Sequence, residues 1–341
     1  MAIRATIAGT GSYLPPWVVK NDDLREYMET SDEWIYERSG IRTRRYAEVG
    51  VTTSDLALEA SKRALEDAGV RAEDVQCIVL ATLSPDIHFP GTGLFLQEKL
   101  GIAGLSCACY DVRAQCSGFL YATEAARAFI ESGIYENVLV VGAEIHSHFL
   151  EFSTRGRLVT VLFGDGAGAV VLRGKEAEPG GQGILCSEVH GDGRGALNGV
   201  HQKVFDMGHR PFLDYDVLDT EKNADLWPNM SNPRGLYTNG VIRMSEVTLS
   251  VLGKAGFTVD DVDWVLPHQA NLHMIRDMAE RVQLPQGKVL VNIDTYGNTS
   301  AATIPILLDE NIRNGKIRRG HLLVFTAFGS GFTWGGVLVR Y

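Results

Sequence analysis

Short apolar runs alternate with helically spaced apolar positions along the whole chain. Ile3 to Ala8 reads as a buried strand ended by Gly9-Thr10-Gly11. Thr30 and Glu33 have capping-box spacing ahead of Trp34-Ile35 and predict a helix start there. From about Ser54 to Ala68, Leu56, Ala60, Ala64 and Ala68 recur at helical spacing, a narrow stripe of small side chains suited to close packing. Cys77 to Leu83 is almost wholly apolar, as in a central strand covered on both faces. The alternation continues through a strand at Ala108 to Val112, a helix after Cys116, and strands at Val138 to Gly142 and Ala167 to Leu172. It then predicts a helix near Ser245 to Lys254, strand Trp264 to Leu266, a helix after Asn271, strand Val289 to Ile293 and a helix after Asn298. Strands at Leu322 to Ala327 and Gly336 to Val339 close the chain. Helices alternating with strands indicate a layered α/β architecture.

The pattern repeats within the chain. Ala68-Gly69 through Glu73-Asp74-Val75 to Val79-Leu80 matches Ala255-Gly256 through Asp260-Asp261-Val262 to Val265-Leu266, an offset of 255 − 68 = 187. Cys116-Ser117-Gly118 matches Asn298-Thr299-Ser300 (298 − 116 = 182), and Phe163-Gly164-Asp165-Gly166 matches Phe328-Gly329-Ser330-Gly331 (328 − 163 = 165). Ordered matches with a shrinking offset indicate one α/β unit used twice, with insertions in the first copy. The halves are expected at residues 1–175 and 176–341. A stretch at 191–238 fits neither copy: it carries Pro211, Pro228 and Pro233 with Phe205, Phe212, Tyr215, Trp227 and Tyr237, and reads as an ordered cap rather than a linker.

Composition narrows the function. At 341 residues, 45% hydrophobic and 22% charged, the chain can bury a large core and is not disordered. A net charge of −10 argues against nucleic acid as a partner. Arg42, Arg44 and Arg45, and Arg313, Lys316, Arg318 and Arg319, form two basic runs, local patches or solvated turn charges. No apolar stretch reaches the roughly 18 residues a membrane span needs, and the first residues lack a signal-peptide layout, so a cytoplasmic protein is expected. Five scattered cysteines exclude a disulfide framework, and no Cys/His spacing suggests zinc.

Of the five thiols, Cys116 alone lies at a strand-to-helix turn, where a helix start is expected to lower a thiol's pKa. His268 is delivered by the strand at Trp264 to Leu266 to the same sheet edge; His88, His146, His148, His201, His209 and His321 lie in loops or at surface-like positions. Asn298 would by default be an N-cap, but the repeat puts its amide where the other half puts the thiol. Cysteine, histidine and asparagine admit two chemistries. One is a cysteine protease, whose chain order matches but whose Cys-Gly-Ser-Cys-Trp context is missing. The other carries an acyl group on Cys116 while His268 and Asn298 stabilise the enolate of a second, decarboxylating thioester.

Gly9-Thr10-Gly11-Ser12-Tyr13-Leu14-Pro15, Thr30-Ser31-Asp32-Glu33-Trp34-Ile35, Ser39-Gly40-Ile41-Arg42, Phe163 to Ala169, Pro267-His268-Gln269-Ala270-Asn271, Gly297 to Ala302 and Ala327 to Gly335 together resemble the β-ketoacyl-acyl carrier protein synthase III family of the thiolase superfamily. The resemblance runs from one end of the chain to the other. It implies a five-layered αβαβα thiolase-like fold, a homodimer, no metal, and no cofactor beyond coenzyme A thioester substrates. It also implies that an acyl-coenzyme A primer loads Cys116, and that a malonyl thioester on acyl carrier protein then condenses with it, giving a 3-oxoacyl product, coenzyme A and carbon dioxide. By the same likeness, the backbone N–H groups of Cys116 and Ser330 form an oxyanion hole, and Trp34 and Arg38 contact coenzyme A with either Arg155 or Arg157. Phe89 is lent across the dimer, Phe163 walls the acyl pocket, and Asn271 joins the substrate contacts. Three positions depart from the family pattern. Ser330 replaces a glycine, His273 with nearby Glu280 replaces a basic carrier-protein contact, and the 191–238 segment is longer and, by the likeness, lies where the acyl chain and pantetheine enter. The alternatives are acyl transfer to an amine, alcohol or second thioester, and a non-catalytic acyl-thioester binder.

Overall fold

The computed structural model describes residues 2–202 and 228–341. Phe205, His209, Pro211, Phe212, Tyr215 and Trp227 lie outside the described residues. The first half runs β1 (Ile3–Tyr13), β2 (Trp17–Lys20), α1 (Asp32–Ser39), β3 (Thr43–Tyr46), α2 (Thr53–Ala68), β4 (Cys77–Ala81), α3 (Thr92–Lys99), β5 (Ala108–Val112), α4 (Gly118–Glu131), β6 (Asn137–Glu144), α5 (Arg157–Thr160), β7 (Gly166–Glu176). The second runs β8 (Gly183–Gly191), β9 (Val200–His201), β10 (Asn229–Met230), α6 (Pro233–Lys254), β11 (Trp264–Pro267), α7 (Leu272–Arg281), α8 (Ile293–Tyr296), α9 (Thr303–Arg313), β12 (Leu322–Gly329), β13 (Thr333–Arg340).

Two sheets carry the fold, one ordered β1-β7-β6-β4-β5 and the other β8-β13-β12-β11. In both, the first two neighbouring pairs are antiparallel and the next is parallel, so the second sheet repeats the first four strands of the first sheet, which adds β5 at its edge. The side-chain period of two then sorts each strand between two cores. Cys77, Val79 and Ala81 of β4 face a central layer with Leu323, Phe325 and Ala327 of β12. Ile78 and Leu80 face outward onto Leu56, Ala60 and Ala64 of α2, while Leu322 and Val324 face outward onto Val247 and Val251 of α6. Helices α4 and α9 fill the middle and touch strands of both sheets. The layers are therefore α2/α3, sheet, α4/α9, sheet, α6/α7.

Four sequence expectations about the elements change. The first strand does not stop at Ala8 but runs through the glycines to Tyr13, with a register shift between Ile7 and Gly9. The reason is the small-residue stripe of α2: a Cβ on Gly9 would lie 2.3 Å from Ala68 N, and one on Gly11 2.4 Å from Ala60 O. These glycines admit a helix backbone against the sheet and do not break the strand. The helix near Trp34 is capped by Ser31, one residue later than its spacing predicts; extended Ser31 accepts Trp34 N–H at 3.1 Å through Oγ. The strand expected at Val289 to Ile293 is a single bridge, Val265 with Val289. There the Gln269 side chain replaces the ladder, donating to Pro267 O at 2.7 Å and accepting Asn292 N–H at 3.1 Å. The helix expected near Ser245 begins a dozen residues earlier, at Pro233, with Asn232 as its cap.

Neither basic run is a plain surface patch. Arg44 is 0% exposed, donates to Val161 O at 2.7 Å, and finds no partner for Nε and Nη1 among the described residues. Arg313 clamps α9 to the first sheet, pairing with Asp67 at 2.8 Å and donating to Thr10 O at 2.7 Å, and Arg319 donates to Ile7 O at 2.8 Å.

Candidate active site

Strand ends from both halves converge on one chamber. After β5 the chain turns sharply: Gln115 adopts φ 46°, a conformation that strains a non-glycine residue, and the short helical turn Gln115–Ser117 seats Cys116 at the foot of α4. Ser117 Oγ, 2.8 Å from Ala114 O and 2.7 Å from Thr333 Oγ1, ties that turn to the one between β12 and β13. Gly329, the last residue of β12, passes so close that a Cβ would lie 3.0 Å from Cys116 N. The next residue, Ser330, does more than add bulk to the turn. Its Oγ accepts Val200 N–H at 2.9 Å and anchors β9 beside the chamber.

His268 follows β11 and extends the ladder by donating its N–H to Thr326 O at 2.8 Å. Asn298 follows α8 and bridges Phe163: its N–H donates to Leu162 O at 2.9 Å and its carbonyl accepts Gly164 N–H at 3.1 Å. Its Oδ1 accepts Ser300 N–H at 2.8 Å, which orients the amide and leaves its N–H₂ as the donor end. Cys116, His268 and Asn298 line the same cavity of about 680 Å³. Apolar side chains dominate the rest of the wall, among them Phe149, Leu150, Val159, Val161 and Phe163; Val200, Pro228, Met230 and Tyr237, all within the 191–238 segment, line it too.

The electrostatics overturn one expectation. Burial pushes the Cys116 thiol up to about 11, against hydrogen bonds from Ser300 and Asn298 that pull it down, and Glu144 adds to the rise. The Ser300 hydroxyl lies 3.7 Å from Sγ. At this site desolvation outweighs the helix start, and the resting thiol is neutral. Burial, with His146 as a smaller cause, pushes His268 down to about 3, so its imidazole is neutral as well. His268 Nδ1 lies 2.7 Å from Thr303 Oγ1, which lies 2.9 Å from Ser300 O. A carbonyl only accepts, so Thr303 gives its proton to Ser300 and His268 donates from Nδ1. That leaves Nε2 a bare lone pair, without a partner among the described residues.

His146, grouped by sequence with loop and surface histidines, is instead 1% exposed and borders the chamber. Its ring stacks on Phe163 at 4.6 Å, and Nδ1 is 2.8 Å from Gly164 O. Nothing in the sequence marked it, because only the fold turns that stretch inward.

Trp34 and Arg38 line the same cavity. The Arg38 and Arg157 guanidinium carbons lie 4.4 and 5.0 Å from the Trp34 ring centre, whereas Arg155 pairs with Glu151 at 2.8 Å. Asn271 also lines the cavity, but its amide serves the scaffold: Oδ1 caps α7 by accepting His273 N–H at 2.9 Å, and Nδ2 donates to Arg38 O at 2.7 Å. His273 is likewise engaged, with Nε2 2.9 Å from Glu37 O. Phe89 stands apart from the chamber on a loop, 81% exposed.

Known proteins resemble this chain over their full length. Residues 110–193 match the family described as 3-oxoacyl-[acyl-carrier-protein (ACP)] synthase III, and residues 252–341 match its C-terminal part. A beta-ketoacyl-[acyl-carrier-protein] synthase III of Erythrobacter litoralis is 43% identical over 99% of this chain and 100% of its own. One from Rhizorhabdus wittichii is 42% identical over 99% of both. The crystal structure of 3-oxoacyl-[acyl-carrier-protein] synthase III from Aquifex aeolicus superposes with a TM-score of 0.87 at 41% identity, covering 99% of this chain and 100% of that one. With two sheets repeating one strand order, and likeness at this identity from end to end, the chain belongs to the 3-oxoacyl-[acyl-carrier-protein] synthase III family.

Proposed function

We propose that the enzyme joins an acyl primer to a malonyl unit by decarboxylative Claisen condensation, with Cys116 as the carrier of the acyl group. The observation that carries this is the meeting of Cys116, His268 and Asn298 on one largely apolar chamber. In the first half-reaction Cys116 Sγ attacks the thioester carbonyl of an acyl-coenzyme A. Because the thiol is neutral at rest, its proton must leave as sulfur attacks, and the lone pair on His268 Nε2, unpartnered among the described residues, is the acceptor suited to it. Backbone N–H groups of Cys116 and Ser330 receive the developing oxyanion, and coenzyme A departs as the thiol, taking the proton back.

In the second half-reaction a malonyl thioester carried on acyl carrier protein loses carbon dioxide. The electrons of the broken bond form an enolate, whose oxygen is held by Asn298 Nδ2–H and by His268. Donation from His268 calls for the proton on Nε2, the tautomer favoured when the Thr303 hydroxyl turns from Ser300 O to donate to Nδ1. The enolate carbon then attacks the acyl-Cys116 carbonyl and expels the sulfur as thiolate, which takes up a proton from solvent to restore the neutral thiol. Products are 3-oxoacyl-carrier protein, coenzyme A and carbon dioxide, and no step calls for a metal.

Trp34, Arg38 and Arg157 make a planar, cationic ledge suited to an adenine and its phosphates, which favours Arg157 over Arg155 as the second arginine. The exposure of Phe89 supports a homodimer in which that loop is offered to the second copy. The test is incubation with radiolabelled acyl-coenzyme A, then malonyl-carrier protein. Label is expected on wild type and absent from Cys116→Ala, with carbon dioxide released in step with product. Label on the alanine variant would overturn the nucleophile; ester or amide formation without carbon dioxide would overturn the condensation.

A further inference from the structure

The chamber holds a second imidazole that neither half-reaction uses. His146 lies two residues beyond the end of β6, and Gly164 O accepts from its Nδ1 at 2.8 Å. Since that carbonyl can only accept, the ring's proton sits on Nδ1. Burial pushes the group down to about 4, so no second proton is present at neutral pH. Nε2 is therefore a lone pair, buried and without a partner among the described residues. Phe163 is stacked on the ring, Phe149 lies 5.7 Å away, and Val159 and Val161, which line the same cavity, offer no side-chain donor. A buried acceptor left in this state is costly, and sites that retain one commonly complete it with a ligand.

The ring also sits close to the chemistry. Phe163, beneath it, bridges Asn298, and Gly164, which holds Nδ1 through its carbonyl, donates its own N–H to Asn298 O. The geometry points to His146 Nε2 as the acceptor for a hydroxyl borne on the acyl chain, making hydroxyacyl thioesters, rather than plain alkanoyl ones, the preferred primers. A ketone, ether or carboxylate oxygen has no proton to give. An ammonium could donate, but carrying a full charge into this apolar wall would cost far more than the bond returns. The inference rests on the reading of the chamber as an acyl site, and deepens it by naming the substrate class.

The experiment measures covalent loading of Cys116, by intact-protein mass, from acyl-coenzyme A pairs of equal length with and without a hydroxyl at successive carbons. Wild type is expected to favour the hydroxylated member at one position by about tenfold or more in kcat/KM, the range set by one buried hydrogen bond. His146→Leu, similar in size but without an acceptor, is expected to bring that ratio to about one. Equal loading of every pair by wild type, or a preference that survives His146→Leu, would overturn the inference and leave the condensing reaction standing. Failure of every acyl-coenzyme A to load would overturn both. Should His146→Leu not fold, His146→Phe takes its place in the same comparison, and equal loading of every pair by wild type overturns the inference without either variant.

Discussion

The neutral thiol makes a prediction that sets burial against the helix start. With Cys116 pushed up to about 11, thiolate at pH 7 is about one part in ten thousand, against about 3% for a free cysteine near 8.5. A more basic thiolate is intrinsically more nucleophilic, which returns about tenfold. Alkylation of resting Cys116 by iodoacetamide should therefore run about 30-fold slower than that of free cysteine at pH 7. It should also climb close to tenfold per pH unit from pH 7 to about pH 10. Peptide-resolved mass spectrometry separates Cys116 from Cys77, Cys107, Cys109 and Cys186. Ser300→Ala and Asn298→Ala, which remove hydrogen bonds to sulfur, should each slow the reaction further. A plateau below pH 8 would refute the reasoning, because it would mean that the first turn of α4 holds a preformed thiolate and that His268 is not needed as a base. If instead the rate climbs as expected, His268→Ala should slow acyl loading by about a hundredfold, the usual range for a lost general base.

Further outcomes follow from packing and from the turn that faces Cys116. Gly9→Ala would drive a Cβ to 2.3 Å from the Ala68 backbone and should cost about 3 kcal/mol or more in chemical denaturation; a loss below about 1 kcal/mol would mean that α2 can move off the strand. Ser330→Gly keeps the backbone N–H but orphans Val200 N–H, and should lose about 1 kcal/mol of stability while acyl transfer stays within a few-fold of wild type. Arg157→Ala should raise KM for acyl-coenzyme A about tenfold and leave acyl-pantetheine untouched, whereas Arg155→Ala should change neither, its guanidinium being held by Glu151. The reverse pattern would move the coenzyme ledge to Arg155.

The duplicated architecture was legible because strands buried on both faces, such as Cys77 to Ala81 and Leu322 to Gly329, are written as apolar runs that no surface element tolerates. Cys116, His268 and Asn298 could be singled out for a related reason. Each sits where a predicted strand or turn meets a predicted helix, and in an open α/β sheet that edge is where ligands bind. What the sequence hid depends on what lies across a gap. Gly9 and Gly11 look like strand breakers until the backbone of α2 is laid against them, and Gln269 looks like an ordinary loop residue until its amide takes over the bonds of a missing strand. Arg44 and His146 look like solvated groups until the fold encloses them.

The thiol is the instructive failure, because the local rule was sound and the context reversed it. A helix start lowers a pKa through partial charges that act over a single turn, worth about 1 kcal/mol when exposed. Withdrawal of a thiolate from water into a chamber walled by Phe163, Val161 and Leu150 acts over its whole surface and in the opposite direction. The larger effect wins, and it reassigns the work. A preformed anion would need only to meet its substrate, but a neutral thiol needs a base at the moment of attack, and the base must later become a donor. A neutral imidazole whose far nitrogen rests on a rotatable hydroxyl can serve as both, which makes Thr303 the residue to change next. Thr303→Val keeps the shape and removes the rotor, so it should slow carbon dioxide release from the malonyl thioester by about tenfold, more than it slows acyl loading of Cys116. Equal slowing of both would show that Thr303 merely holds the ring in place.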